Sequence, residues 1–356
     1  FAGYWRAMDW VDTRARELAA GRASTAGSGA APARVRVASA YNWAVYLRDS
    51  PEIDLVKLPW QLDLWPRYEP RQRAEDLRAL EEIDLFIAHL PVLSSHPELL
   101  DFLATRFAVV AVVYDQTTDL SRIGPILVLE RRTLGPGDNL LFGSGPAGTP
   151  PGFSTAGPVH FVGSTADGRE ESLELEGWRY AKLPPQGLGW ITYRWRTPTG
   201  ISRDYTLLDR ITFPGESGAW QNDHIPAWGR RPTSAWKPGE TVSEGYLVIP
   251  AEDPYRTGAA CRPLGRAHAE NGETPAELWI SVVDLEPEAL EHGRWVVRAR
   301  MAPARVGEFR PLAPGGGPDP LETADGIRFS PDGFVRAAAF QLPLPDGREL
   351  PRPRSK

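Results

Sequence analysis

At 356 residues, 42% hydrophobic and 24% charged, the chain has the composition of an ordinary soluble protein, long enough for two domains that each bury a core. A net charge of −6 argues against a nucleic-acid backbone or an anionic membrane surface as the main partner. The single cysteine, Cys261, excludes an internal disulfide framework and any cysteine-rich metal site.

The chain opens on Phe1-Ala2-Gly3-Tyr4-Trp5, without an initiator Met. Aromatic residues concentrate where a membrane meets water. The sequence therefore reads either as the soluble end of a longer membrane protein, starting just after its last helix, or as a chain whose starting point has another cause, and the aromatic opening does not choose between them. Its most apolar run, Phe107–Tyr114, is far short of the roughly twenty residues needed to span a bilayer. Tyr4–Ala20 carries apolar residues at near-helical spacing and predicts an amphipathic helix, followed by a linker over Ala23–Ala33.

Short apolar strands then alternate with helices. Strands are expected at Val35–Tyr41, Ile53–Leu58, Asp84–His89, Phe107–Tyr114 and Ile126–Glu130. Helices are expected at Asn42–Arg48, Glu69–Glu82 and Pro97–Thr105. This alternation argues for a mostly parallel sheet covered on both faces, a small Rossmann-like α/β domain over 34–134. Asn42-Trp43-Ala44 follows the first strand where a nucleotide-binding domain would carry G-x-G-x-x-G, and no Walker sequence occurs. No nucleotide cofactor is expected.

Gly135–Pro158 is too rich in Gly and Pro for either element type and reads as a linker. Beyond it the period changes to two. Ile191, Tyr193 and Trp195 alternate with Thr192, Arg194 and Arg196, as in a half-buried strand. Tyr205, Leu207, Ile211 and Phe213 share a face with Asp209, and Leu278–Val283 and Trp295–Ala299 are further strands. The pattern predicts an all-β, jelly-roll-like sandwich over 158–310. A polar insertion, Arg256–Pro275, falls within it. From Pro311 a Gly/Pro-rich tail is expected, with one hairpin around Ser330-Pro331-Asp332-Gly333.

The sandwich is organised around Ala219–Pro250. Trp220, Trp228 and Trp236 stand eight residues apart among prolines and glycines, Lys237-Pro238-Gly239-Glu240 reads as a tight turn, and Thr241–Pro250 as a strand. The run Gln221, Asp223, Pro226, Gly229, Pro232-Thr233, Trp236, Pro238-Gly239-Glu240 and Tyr246 resembles a C-terminal β-sandwich of bacterial polytopic GT-C-type glycosyltransferases. These are related to the protein O-mannosyltransferases and the lipid A aminoarabinose transferases. The resemblance implies a non-catalytic extracytoplasmic module, periplasmic or at the cell surface, joined to the membrane-embedded part of the same polypeptide. It implies a polyprenyl-phosphate sugar as donor. No catalytic residue carries over, because the family's catalytic acidic residue lies in a loop near its first membrane helices. The alternative is a freestanding exported carbohydrate-binding or adhesion protein.

Several residues carry candidate chemistry. Asp223-His224 is the sharpest polar pair, readable as part of a metal or acid–base site or as hydrogen-bonding for its own loop; no second His stands at ligand spacing. The three tryptophans offer either a carbohydrate-stacking platform or anchors for a long loop, and anchoring is favoured by the Pro-rich spacing. His89 and His96 flank the end of a strand, where α/β proteins place ligands, as does Asp115. Ser94 and Ser95 lack a G-x-S-x-G elbow and read as the N-cap of the helix near Pro97, which weighs against a soluble hydrolase. Glu170, Glu171, Glu174 and Glu176 read as a solvated strand face.

Overall fold

The structure, a computed structural model, describes residues 2–26, 34–40, 47, 50–58, 69–114, 125–135, 138–145, 152–154, 159–165, 167–212, 220–248, 273–285 and 297–300, with short strands at 302–303, 310–311, 321–322 and 328–329 and a longer one at 335–343. It is mostly β, in several sheets. Two compact units divide it. The first comprises Phe1–Leu141 and Lys182–Leu188, and the second Phe142–Ala181 and Gly189–Pro345.

The first unit begins with α1 (Ala2–Ala26). Ala7, Met8, Val11 and Ala15 form its buried stripe, packed on Val35, Val37, Ile87, Ala111 and Val128 of the sheet. The expected linker at Ala23–Ala33 is corrected over its first residues: the helix runs on through Ala26 despite Gly21, Ser24 and Thr25, with Arg22 paired to Asp84, and residues 27–33 lie outside the described residues. The sheet holds β1 (Val35–Ser39), β2 (Ile53–Leu55), β3 (Leu85–His89), β4 (Phe107–Val113) and β5 (Ile126–Arg131), in the order β2-β1-β3-β5-β4. Between β2 and β3 runs α2 (Pro70–Leu80); α3 (Leu90–Ser95) and α4 (Pro97–Ala104) lie between β3 and β4. The expected helix at Asn42–Arg48 lies outside the described residues apart from Leu47.

The prediction of a mostly parallel sheet needs correction. β1 is parallel to β2 and β3, but β5 runs antiparallel to both β3 and β4. Ile126–Arg131 is buried enough to read as a parallel core strand. However, the chain returns beside β4 in the opposite sense, pairing Ile126 with Val113 and Arg131 with Phe107. Ser94 and Ser95 end α3, and His96 takes the N-cap of α4, so the capping role expected of the serines is also corrected.

In the second unit, β6 (Phe142–Gly145), β7 (Val159–Ser164), β8 (Glu170–Leu183), β9 (Leu188–Arg196), β12 (Thr241–Val248) and β15 (Ala302–Pro303) form one sheet, ordered β15-β7-β8-β9-β12-β6. A second sheet holds β10 (Thr206–Thr212), β11 (Trp220–His224), β13 (Glu273–Leu285), β14 (Val297–Arg300), β16 (Arg310–Pro311), β17 (Leu321–Glu322), β18 (Arg328–Phe329) and β19 (Val335–Pro343). It runs β11-β10-β13-β19-β18-β17-β16, with β14 also paired to β13.

Three expectations change here. The Gly/Pro stretch 135–158 contains β6, which pairs with β12 from Glu244 to Thr241. β9 is buried on both faces rather than half-buried, because Arg194 is drawn in by Glu176, whose Oε2 stands 3.1 Å from Nε. The tail is not outside the β-layers, since β19 lies beside β13 along eight register positions and β18 joins it at Phe329–Val335. Ala-rich Val335–Pro343 has weak strand propensity, and its pairing with the long β13 overrides that preference.

Candidate functional site

The densest polar arrangement lies between the inner faces of the two sheets of the second unit. β9 and β12 place Tyr193 opposite Glu244 and Trp195 opposite Val242. In the other sheet, β10 and β11 place Asp209 opposite Asn222 and Leu207 opposite His224. With side chains alternating along each strand, Tyr193, Trp195, Glu244 and Tyr246 point inward from one layer. Asp209 and His224 meet them from the other.

His224 is the centre. Its Nε2 stands 3.2 Å from Glu244 Oε1 and its Nδ1 3.3 Å from Asp209 Oδ1, while the Asn222 amide stands 2.8 Å from Nδ1. Tyr193 donates its hydroxyl to Asp209 Oδ2. Glu244 is saturated. Trp195 Nε1 donates to Oε1 at 2.7 Å, and Oε2 accepts from the Tyr246 hydroxyl at 2.9 Å and the Ala227 backbone N–H at 2.5 Å. Tyr246 also packs against the imidazole, with ring centroids 4.2 Å apart. Glu244 is 0% exposed, Asp209 1%, and the His224 side chain 8%.

Burial opposes charge on all three, so the network decides the protonation states. For His224, burial favours the neutral ring, but the charges of Glu244 and Asp209 outweigh it and raise its pKa to about 10. For Glu244 burial also acts against ionisation, yet His224 and the Ala227 and Tyr246 donors hold its carboxyl below the ordinary range. Asp209 goes the other way. Its burial prevails over His224 and Tyr193 and raises its pKa. Burial, then the neighbouring carboxylates, push Tyr193 and Tyr246 well above the usual phenol value. The result is an imidazolium held between the Glu244 carboxylate of one sheet and the Asp209 side chain of the other. The carboxylates approach opposite nitrogens of one ring, so they do not converge on one metal position. Among the described residues no three His, Cys, Asp or Glu side chains do.

The same carboxylate holds the loop after β11. Ala227, Trp228 and Gly229 all have positive φ, at 54°, 59° and 75°. Left-handed backbone costs an L-residue about 1–2 kcal/mol each. Glu244 offsets this by taking the Ala227 N–H, the Tyr246 hydroxyl oxygen accepts the Trp228 N–H at 3.3 Å, and Gly245 O accepts Trp228 Nε1 at 3.1 Å.

The predicted residues thus separate. Trp236 is 3% exposed, with Nε1 donating to Arg231 O, so no indole face is left for a sugar. Trp228 is half-buried and stacked on Tyr246 at 5.4 Å. Trp220 belongs to β11, pairing with Ile211, which corrects the picture of one continuous loop. The alternation of Trp220, Asn222 and His224 is the two-residue period of a strand, obscured by flanking Pro and Gly. Asp223 falls on the opposite parity from His224, half-buried beside Leu208, and the two do not act as a pair. His89 and His96 are buried at the ends of α3, and Asp115 lies outside the described residues. The acidic face needs correction too. Glu171 is buried, accepting from the Ser202 N–H at 2.6 Å and the Tyr205 hydroxyl at 3.2 Å, while Glu174 and Glu176 pair with His160 and Arg194.

Sequence reading missed Glu244, Tyr193 and Tyr246 as partners of His224, and Trp195 as a partner of Glu244. The signal was a carboxylate on the inward parity of apolar strands, at Glu244 between Val242 and Tyr246 and at Asp209 between Leu207 and Ile211. Comparison with protein-family models, curated proteins and solved structures finds no match to this chain. No described helix is long and apolar enough to cross a membrane.

Proposed function

We propose that this chain is a non-catalytic extracytoplasmic module of a membrane glycosyltransferase that uses a polyprenyl-phosphate sugar, positioning the acceptor or capping the active site. One observation carries this reading: the residues of the family-like pattern build a rigid loop rather than a reaction centre. Thr233 accepts the Tyr205 N–H and donates to Arg203 O. Gly229 supplies a left-handed position, Glu240 pairs with Arg231, and Tyr246 seats the Trp228 N–H. Such a pattern specifies architecture, as a module does when its chemistry lies elsewhere in the polypeptide. The parallel β2-β1-β3 run with α2 in its crossover suits a Rossmann-like unit. The two facing antiparallel sheets suit a jelly-roll-like sandwich.

The test is reconstitution of the full-length protein in proteoliposomes with a polyprenyl-phosphate sugar. The full-length protein is expected to transfer sugar, the isolated chain to show no turnover, and deletion of this region to impair acceptor use more than donor binding. Turnover by the isolated chain that one carboxylate substitution abolishes would overturn the proposal.

A further inference from the structure

The second unit turns its charged residues on one another in a sealed interior. The first unit sets a similar group around an open cleft of about 440 Å³. One wall is a single face of α1, where Trp10, Arg14 and Glu17 follow at the four- and three-residue steps that stack side chains on a helix. The others are β4 at Ala108–Val110, the segment holding Arg132, Asp138 and Asn139, and Pro184.

Every planar polar group in this lining is braced. Beneath it the buried Glu130 accepts Arg14 Nε at 2.7 Å and Nη2 at 3.1 Å, and Arg132 Nη2 at 3.2 Å. The other Arg14 nitrogen donates to Glu17 at 2.8 Å. Arg132 Nη1 donates to Asp138 Oδ1 at 3.0 Å, and Asp138 Oδ2 takes the Gly135 N–H at 2.6 Å. Asn139 is tied to the edge of β4 through Val109, by its backbone oxygen at 2.9 Å and its amide nitrogen at 3.3 Å. Arg132 Nε is buried and has no partner among the described residues.

The charge balance decides the kind of ligand. The lining carries two cations, Arg14 and Arg132, and two anions, Glu17 and Asp138, and Glu130 behind them offsets the arginines further. With Glu130 counted, the anions exceed the cations by one, so the wall disfavours an anion such as a phosphate, and each of its carboxylates already pairs with an arginine rather than facing a cation. It does offer donors and acceptors side by side, fixed in direction, next to an indole. A neutral polyhydroxylated ring matches this: each hydroxyl both donates and accepts, and the C–H face of the ring lies well on an aromatic surface. The volume is within the usual range of about 300–1,000 Å³ for small-ligand sites.

We infer that this cleft is a saccharide-binding site, with Trp10 as the stacking surface and Arg14, Glu17, Asp138 and Asn139 as hydroxyl partners. Which glycan it serves rests on the function proposed above; the binding itself does not. It places sugar recognition on α1, away from the three tryptophans of 220–236.

The experiment titrates the whole 356-residue chain with neutral monosaccharides and disaccharides of glucose, galactose and mannose, and with glucose 6-phosphate and glucosamine. Binding is read by the ¹⁵N indole resonance of Trp10, assigned through Trp10→Phe. Saturable shifts with at least one neutral sugar are expected. Trp10→Ala, which lacks the reporter and is followed by calorimetry, should weaken binding about tenfold, as the loss of one stacking surface would. Since Trp10 also packs against the core, Glu17→Ala, on an exposed side chain, serves as a second variant and should weaken the same sugar while leaving the thermal midpoint unchanged. No saturable shift at Trp10 with any neutral sugar overturns the inference, and so does glucose 6-phosphate binding tenfold tighter than glucose. If the full-length protein transfers sugar while the cleft binds none, this inference alone fails. If the cleft binds sugar while the full-length protein transfers none, the inference stands and the proposed function falls.

Discussion

His224 carries a positive charge inside the protein, and that gives it a measurable signature. Its folded pKa, about 10, lies above its ordinary value near 6.5. A group raised in this way contributes stability that is complete below the unfolded pKa and is lost as pH rises through the folded one. Asp209, also raised, acts with the same sign, whereas the lowered Glu244 loses its contribution only on the acid side. Urea unfolding between pH 6 and pH 10 is therefore expected to show falling stability, with a markedly flatter slope in His224→Asn. Equal slopes in the two proteins would mean the imidazole is neutral. Elsewhere at this scale, Gly189 is required by its neighbour. A Cβ there would fall on the phenol ring and oxygen of Tyr180, inside any van der Waals separation. Gly189→Ala is expected to cost about 1–3 kcal/mol as overpacking. Most of that should vanish in a Tyr180→Ala background, and a double-mutant cycle with no coupling would refute the contact.

Among the elements, the loop from Ile225 to Glu240 shows where sequence reasoning reaches and where it stops. The turn at Lys237–Glu240 was legible, because Pro presets one φ and Gly239, at φ 78°, supplies the other; Glu240 N–H closes it on Lys237 O at 2.9 Å. The anchoring of Trp236 was legible from its place beside that turn. The left-handed run Ala227-Trp228-Gly229 was not. Neither Ala nor Trp signals positive φ, and what imposes it is a carboxylate on β12, seventeen residues away from Ala227. In the same way β5 reads as a buried strand, but its direction depends on which neighbour it meets, which local pattern does not encode. Trp236→Ala is expected to cost about 3–5 kcal/mol, the usual loss for a large buried aromatic. Trp220→Ala, on a half-buried edge-strand position, should cost clearly less. Thermal melts of the two variants check the order, and a Trp236→Ala protein that melts like wild type would refute the anchor.

At the scale of the molecule, the first unit is discontinuous in sequence. Lys182–Leu188 belongs to it, and within it the Val112 N–H donates to Pro184 O at 3.0 Å. Tyr114 and Gln186 exchange two bonds, at 2.7 and 2.9 Å. A fragment ending at Leu141 lacks these partners for β4, an edge strand. It is expected to melt lower than the same unit in the intact chain, and adding the peptide 180–190 in trans should raise its midpoint. An unchanged midpoint would show that residues 2–141 are self-sufficient.

The position of β19 has a consequence for synthesis. A strand near the end of the chain lies beside β13, between it and the β18-β17-β16 edge. A ribosome delivers residues in order, at roughly 5–20 per second. For several seconds after Leu285 has emerged, β13 holds β10 on one side while most of its other side is still unpaired. Pairing on that side of β13 thus waits for β19, the last described segment to be made. Until then the nascent chain carries an open edge along β13, which β19, or a chaperone standing in for it, covers.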